Sequence, residues 1–193
     1  MKTLNKNSEQ LILMSDEELI KGCVRGKDAY QYEVYKRFSP KMFVVCLRYC
    51  ASREEAEDVL QDGFIKVFNK INTFKFMGSF EGWIRRIMVH TAIRNKYITY
   101  RSHEINNLEN IPQPSTDEKI SSKLCFNDLM KLVNELPQGY KLVFNMFAIE
   151  GYSHKEIAEA LDIQEATSRS PYLRARQFLR EKLDKINKNE FRI

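Results

Sequence analysis

Apolar residues along this chain of 193 residues recur with helical spacing and nowhere alternate long enough to make a strand, so the pattern predicts an all-α protein. The clearest stripe lies in "SREEAEDVLQDGFIKVFNKI", where Ala56, Val59, Leu60, Phe64, Val67, Phe68 and Ile71 share one face. Ser52 and Glu55 precede it at the spacing of a capping box, in which hydroxyl and carboxylate each accept a backbone N–H that the first turn leaves unbonded. Upstream, a helix-start signal at Ser15 and an apolar series of Tyr32, Tyr35, Phe38, Phe43 and Leu47 predict a helical hairpin or triplet around a core. After the loop "NTFKFMGS", another helix is expected from Phe80 to about Tyr100.

The helical spacing then stops. Residues 102–122 hold two prolines, several Asn and Ser, and four acidic residues against one lysine, the pattern of a flexible acidic linker. Helical spacing resumes beyond it and lasts to about Ile186. The expected organisation is a tail over 1–14, a helical domain over 15–101, the linker over 102–122, a second helical domain over 123–187 and a tail over 188–193. Two small helical domains of this size are each large enough to fold alone.

In the second domain Ser153 and Glu156 form another capping box, and Ile157, Ala158 and Leu161 give a short helix one apolar side. Asp162 follows it, a residue able to take the left-handed conformation of a tight turn, though glycine would do so at lower cost. The next helical pattern starts near Gln164 and turns Ser168, Tyr172, Ala175 and Leu179 inward, which leaves Arg169, Ser170, Leu173 and Arg174 outward. Such a pair of helices is a helix-turn-helix, in which an arginine placed on guanine contributes about 1–3 kcal/mol of discrimination. A solvated basic face would have the same composition. Pro171 allows two readings: a helix starting late, with Ser170 as cap, or one that begins near Gln164 and continues through the proline with a kink. The unbroken spacing from Ser168 to Leu179 favours the second.

A net charge of +5 says little about partners, but its distribution says more. Between Arg53 and Asp62 five acidic side chains face one arginine, and Glu57, Asp58, Gln61 and Asp62 lie opposite the apolar stripe. From Glu81 to Arg101 the balance reverses, with Arg85, Arg86, Arg94, Lys96 and Arg101 close to Phe74, Phe76, Phe80 and Trp83. Cations beside aromatics suit a single nucleic-acid strand, whose bases stack on rings while its phosphates meet the cations. For Phe80 and Trp83 core packing is the stronger reading; for Phe74 and Phe76 both stand.

No catalytic constellation emerges: His90, His103 and His154 are scattered without a Ser or Cys partner, and no Gly-rich phosphate loop or metal-ligand series occurs, so neither enzyme activity nor a cofactor is expected. Cys23, Cys46, Cys50 and Cys125 form no CxxC and are expected as buried thiols. The apolar run in "MKTLNKNSEQLILM" is too short for a signal peptide and "MFVVCL" cannot span a bilayer, so a cytoplasmic protein without membrane insertion is expected.

In these motifs and their order the chain resembles a sigma factor of the sigma-70 superfamily, in the extracytoplasmic-function group, over residues 15–185. "AEDVLQDGFIKVF" and "SFEGWIRRIMVHTAIRNK" are similar to region 2 of that family, and "LPQGYKLVFNMFAIEGYSHKEIAEAL" with "EATSRSPYLRAR" to region 4. The resemblance implies a transcription initiation factor. Its partners would be core RNA polymerase, through the β′ coiled-coil and the β flap, promoter DNA, and an anti-sigma protein as antagonist. It would place Glu57, Asp58, Gln61 and Asp62 against polymerase. Phe74, Lys75, Phe76, Arg85, Arg94, Asn95 and Lys96 would meet the minus-ten element, and Thr167, Arg169, Ser170, Leu173, Arg174 and Arg176 the minus-thirty-five element. The linker would thread polymerase channels, its carboxylates mimicking nucleic acid. Two positions depart from the family: Asp162 stands where glycine is common, and Pro171 where a basic or polar residue is usual, which removes one phosphate contact. The alternative, a stand-alone helix-turn-helix regulator, would need a dimer surface and an effector site and would leave the acidic face unexplained.

Overall fold

The computed structural model describes residues 14–104 and 126–190, with the side chains of 14–94 and 128–186. Cys125, the two expected tails up to residue 13 and from residue 191, and residues 105–122 of the expected linker lie outside them. Among the described residues there is no strand, and the chain divides into two compact units, 1–100 and 101–193.

The first unit opens with α1, Asp16–Val24, capped by Ser15 and Glu18 in a complete capping box. Helix α2, Asp28–Tyr49, runs through Pro40 and packs on both α1 and α3, Arg53–Lys70. A 3₁₀ turn at Ile71–Thr73 leads into the aromatic loop, and Ser79 Oγ accepts the Gly82 N–H at 3.1 Å at the start of α4, Phe80–Glu104. Helix α4 therefore continues past the expected end at Tyr100.

The stripe of α3 is buried as its spacing requires at Ala56, Val59, Leu60, Phe64 and Val67, and Ile84, Met88 and Val89 of α4 are buried too. Helix α2 departs from expectation. Its core face is Val34, Phe38, Met42, Val45, Cys46 and Tyr49, whereas Tyr32, Tyr35 and Leu47 are exposed and Phe43 is half-buried. The helix has two apolar faces, and periodicity alone does not say which one the core covers. Cys23, Cys46 and Cys50 are buried free thiols; burial pushes Cys23 up to about 11 and Cys46 up to about 12, so both pack as neutral hydrophobes.

The second unit contains α5 (Phe126–Asn134), α6 (Gln138–Phe144), a π-helical turn over Asn145–Ile149, α7 (His154–Leu161) and α8 (Glu165–Glu190). Leu132, Val133, Leu136, Val143, Met146, Ile157, Leu161 and Ala175 are its buried centre. Helix α7 starts with the full Ser153–Glu156 capping box and ends at Asp162 in the left-handed conformation, φ 50° and ψ 47°. Helix α8 begins at Glu165, contains Pro171 and continues beyond the expected Ile186 to Glu190. Ser170 and Pro171 are therefore helix interior, and the Thr167 carbonyl is left without the N–H that residue 171 would otherwise donate.

Candidate docking and nucleic-acid surfaces

On α3 the N-terminal turn uses its own acids for structure. Ser52 Oγ accepts the Glu55 N–H at 3.2 Å, and Glu55 Oε2 accepts the Ala51 N–H at 2.6 Å, so the reciprocal half of the cap falls one residue earlier than the capping-box pattern predicts. Arg53 Nε donates to Glu57 Oε1 at 2.9 Å, and its guanidinium lies 4.9 Å from the Phe43 ring centroid. Beyond that turn Asp58, Gln61 and Asp62 are exposed together on the side opposite the buried stripe, as Glu57 also is.

Beside this acidic face lies a cleft of about 350 Å³, with Tyr35, Ser39, Pro40 and Phe43 of α2 on one wall and Arg53, Glu57, Leu60 and Gln61 of α3 on the other. Tyr35 and Phe43, expected in the core, thus belong to a surface. The signal in the sequence was an excess: α2 carries more large apolar positions than one core-facing stripe can hold.

The aromatic loop separates into buried and displayed rings. Phe74 is only 8% exposed, wedged 5.3 Å from the Phe80 centroid, 5.5 Å from Trp83 and 5.1 Å from Phe76. The ring of Phe74, expected as a candidate for handling a base, is thus packed in the core with the Phe76 ring against it. Phe80 is buried, Trp83 is half-buried and stacks on it at 5.8 Å, and both match the core reading. Phe76 is 52% exposed and Met77 85%, next to exposed Lys75. Phe76 also has φ 58°, a left-handed conformation that costs a bulky residue on the order of 1–3 kcal/mol and is tolerated where the surroundings impose it.

Of the expected cations on α4, Arg85 is half-buried and ion-paired with Glu81 at 3.5 Å, while Arg94 is exposed. Glu81 also accepts from Lys41 Nζ at 2.6 Å, and this bond first, with Arg85 beside it, holds its carboxyl below the usual range. The side chains of Asn95 and Lys96 lie outside the described residues.

Helices α7 and α8 form the expected helix-turn-helix. Ser168 and Ala175 are fully buried, Tyr172 and Leu179 are half-buried, and Thr167, Arg169, Ser170, Leu173, Arg174 and Arg176 are all exposed, Leu173 by 60%. The junction is pinned by a contact the sequence did not suggest. Ser168 Oγ donates to the Glu165 carbonyl at 2.8 Å and lies 3.0 Å from His154 Nδ1, whose ring stacks on Phe147 at 4.4 Å and meets Tyr172 edge-on at 5.9 Å. His154 thus does have a serine partner, contrary to its expected isolation. Ser168 is wholly buried and its Oγ also lies 3.3 Å from the His154 carbonyl, so the pair ties the start of α7 to the start of α8. Among the described residues no cluster of His, Cys, Asp or Glu could hold a metal ion, and no helix is long and apolar enough to cross a membrane.

Residues 34–102 match the family model of sigma-70 region 2, and residues 126–179 match that of sigma-70 region 4. The chain is 28% identical over 188 residues to the ECF RNA polymerase sigma-E factor of Haemophilus influenzae, covering 90% of this chain and 97% of that protein. It is 25% identical over 182 residues to the ECF RNA polymerase sigma factor SigW of Bacillus subtilis, with 88% and 97% covered. A solved structure of the sigma factor RpoE in complex with the anti-sigma factor NepR from Bartonella quintana is similar with a TM-score of 0.49 and 18% identity, covering 79% of this chain and 96% of that one.

Proposed function

Because the chain belongs to the sigma-70 family, in its extracytoplasmic-function group, we propose that its first unit docks on core RNA polymerase and opens the minus-ten element while its second reads the minus-thirty-five duplex. Glu57, Asp58, Gln61 and Asp62, with the neighbouring cleft of Tyr35 and Phe43, form the polymerase face. Phe76 and Lys75 handle an unstacked base of the minus-ten strand, with Phe74 beneath them as support and Arg85, Arg94, Asn95 and Lys96 along the backbone. Extruding a base costs roughly a few kcal/mol, which stacking on an exposed ring can offset. On α8, Arg169, Ser170, Leu173 and Arg174 face the major groove, with Thr167 and Arg176 at its edges. The protein itself is no enzyme; polymerase supplies the chemistry, and the cytoplasm is where the two meet.

The observation that carries this reading is the exposed acidic face of α3 beside a cleft that Tyr35, Pro40 and Phe43 line from α2. A stand-alone DNA-binding regulator has no use for it, since like charge would repel the duplex. The test is to add the purified protein to core polymerase and promoter-bearing DNA and to map transcript starts. New starts that require both components are expected; tight operator-like binding without polymerase, and no new starts, would favour the stand-alone regulator.

Pro171 supplies a second check. Pro171→Ala restores a helix hydrogen bond and lets the unfolded chain regain some entropy, for a net gain of about 1–2 kcal/mol. Melting of the second unit is expected to rise by several degrees, with altered minus-thirty-five affinity because the segment carrying Arg174 relaxes relative to Arg169. An unchanged or lower melting temperature contradicts the strained-helix account.

A further inference from the structure

Three cations on the exposed side of α8 are held in three different ways. Arg169 Nη2 is ion-paired with Glu165 on its own helix at 2.9 Å, and the Arg176 guanidinium lies 5.9 Å from the Tyr172 ring centroid. Arg174 alone of these is held from α6: its Nη1 donates to Tyr140 Oη at 3.0 Å, across 34 residues of sequence. The Tyr140 ring packs against the buried cluster of Val133, Leu136 and Ala175, so the hydroxyl is the tip of a post anchored in the core.

The chemistry of the two tethers differs. Glu165 cancels the charge of Arg169 and must be displaced, or must share its partner, when a polyanion arrives. Tyr140 is neutral, so it orients Arg174 without cancelling its charge or repelling phosphate. A guanidinium carries five N–H donors on three nitrogens, and committing one at Nη1 leaves the edge made by Nε and Nη2 free. That edge is the fork that meets guanine O6 and N7 in two parallel bonds. Restricting a long, rotamer-rich side chain before binding also removes part of the ordering cost at the moment of contact.

We propose that Tyr140 is a positioning residue for promoter specificity, its hydroxyl aiming the free edge of Arg174 at one base pair of the minus-thirty-five element. The proposal rests on the reading of α8 as the groove-facing helix. Tyr140 lies outside the helix-turn-helix and touches no base; it acts through Arg174.

The experiment measures binding of the reconstituted holoenzyme to promoter fragments in which each minus-thirty-five base pair is permuted in turn, for wild type, Tyr140→Phe, Arg174→Ala and the double variant. Arg174→Ala identifies the base pair at which discrimination collapses. Tyr140→Phe, which keeps the ring in its packing, is expected to lower discrimination at that same pair by roughly threefold to tenfold, to leave the other pairs unchanged, and to add nothing when Arg174 is already alanine. Discrimination unchanged by Tyr140→Phe, or an affinity loss uniform across all pairs, overturns the role of Tyr140 while leaving the groove reading intact. A flat profile for Arg174→Ala overturns both, because the groove reading of that arginine then fails. A melting curve of Tyr140→Phe superimposable on wild type is part of the expected result.

Discussion

Asp58→Lys combined with Asp62→Lys is expected to abolish promoter-specific transcription by the reconstituted holoenzyme, with affinity for core polymerase falling roughly a hundredfold or more. Both carboxylates are exposed on α3 beyond the first turn, so reversing them leaves the Ser52 cap and the Arg53–Glu57 pair in place. Like charges brought together across an interface cost several kcal/mol, and two such sites on one helix face act on the same encounter. The defect should lie in complex formation: the variant should melt as the wild type does, and its second unit should still bind duplex. Retained association with core polymerase, measured directly with purified components, would remove the acidic face from the docking account.

The second large effect concerns the scaffold under that face. Gly63 of α3 lies against Met88 of α4, and a Cβ built there would collide with Met88 Sδ and stand 2.9 Å from Met88 Cε. Met88 is fully buried, but the clash is with the far end of its flexible side chain, which can yield to one methyl and not to a branched side chain. Gly63→Ala should be tolerated at modest cost, because the thioether can shift and alanine favours a helix by close to 1 kcal/mol over glycine. Gly63→Val adds branching that the methionine cannot clear, and overpacking of this kind costs about 1–3 kcal/mol. For a unit of this size that corresponds to a fall of roughly 5–20 °C in melting temperature. The melting temperatures of the two variants should therefore separate; equal values would mean that α3 and α4 are less closely packed than the structure has them.

Sequence reasoning succeeded where the determinants are local. The Ser153–Glu156 box, the stripe of α3 and the left-handed Asp162 are set by residues within a turn or two of one another, and each is where its spacing required. The run of α8 through Pro171 was legible too, since the inward series Ser168, Tyr172, Ala175 and Leu179 admits one register. What escaped was any feature set by which surfaces meet. Tyr35 and Phe43 follow helical spacing as well as Val34 and Phe38 do, and only the placement of α3 and α4 decides which face is covered. Phe74 and Phe76 are two residues apart in one loop, yet one is core and the other is display. The bonds from His154 to Ser168 and from Tyr140 to Arg174 join residues 14 and 34 positions apart, which no local pattern records.

The pairing of Arg169 with Glu165 bears on how such a protein searches a genome. An arginine already paired with a carboxylate gains less from an arbitrary phosphate, because the contact exchanges one anionic partner for another and leaves the carboxylate unpaired. The exchange becomes favourable where a base edge offers geometry that the glutamate cannot match. On the groove reading of Arg169, Glu165 would therefore lower the background of non-specific association more than it lowers affinity for the correct site. A chain of modest positive charge can in this way spend less time on the wrong DNA than a count of its arginines would suggest.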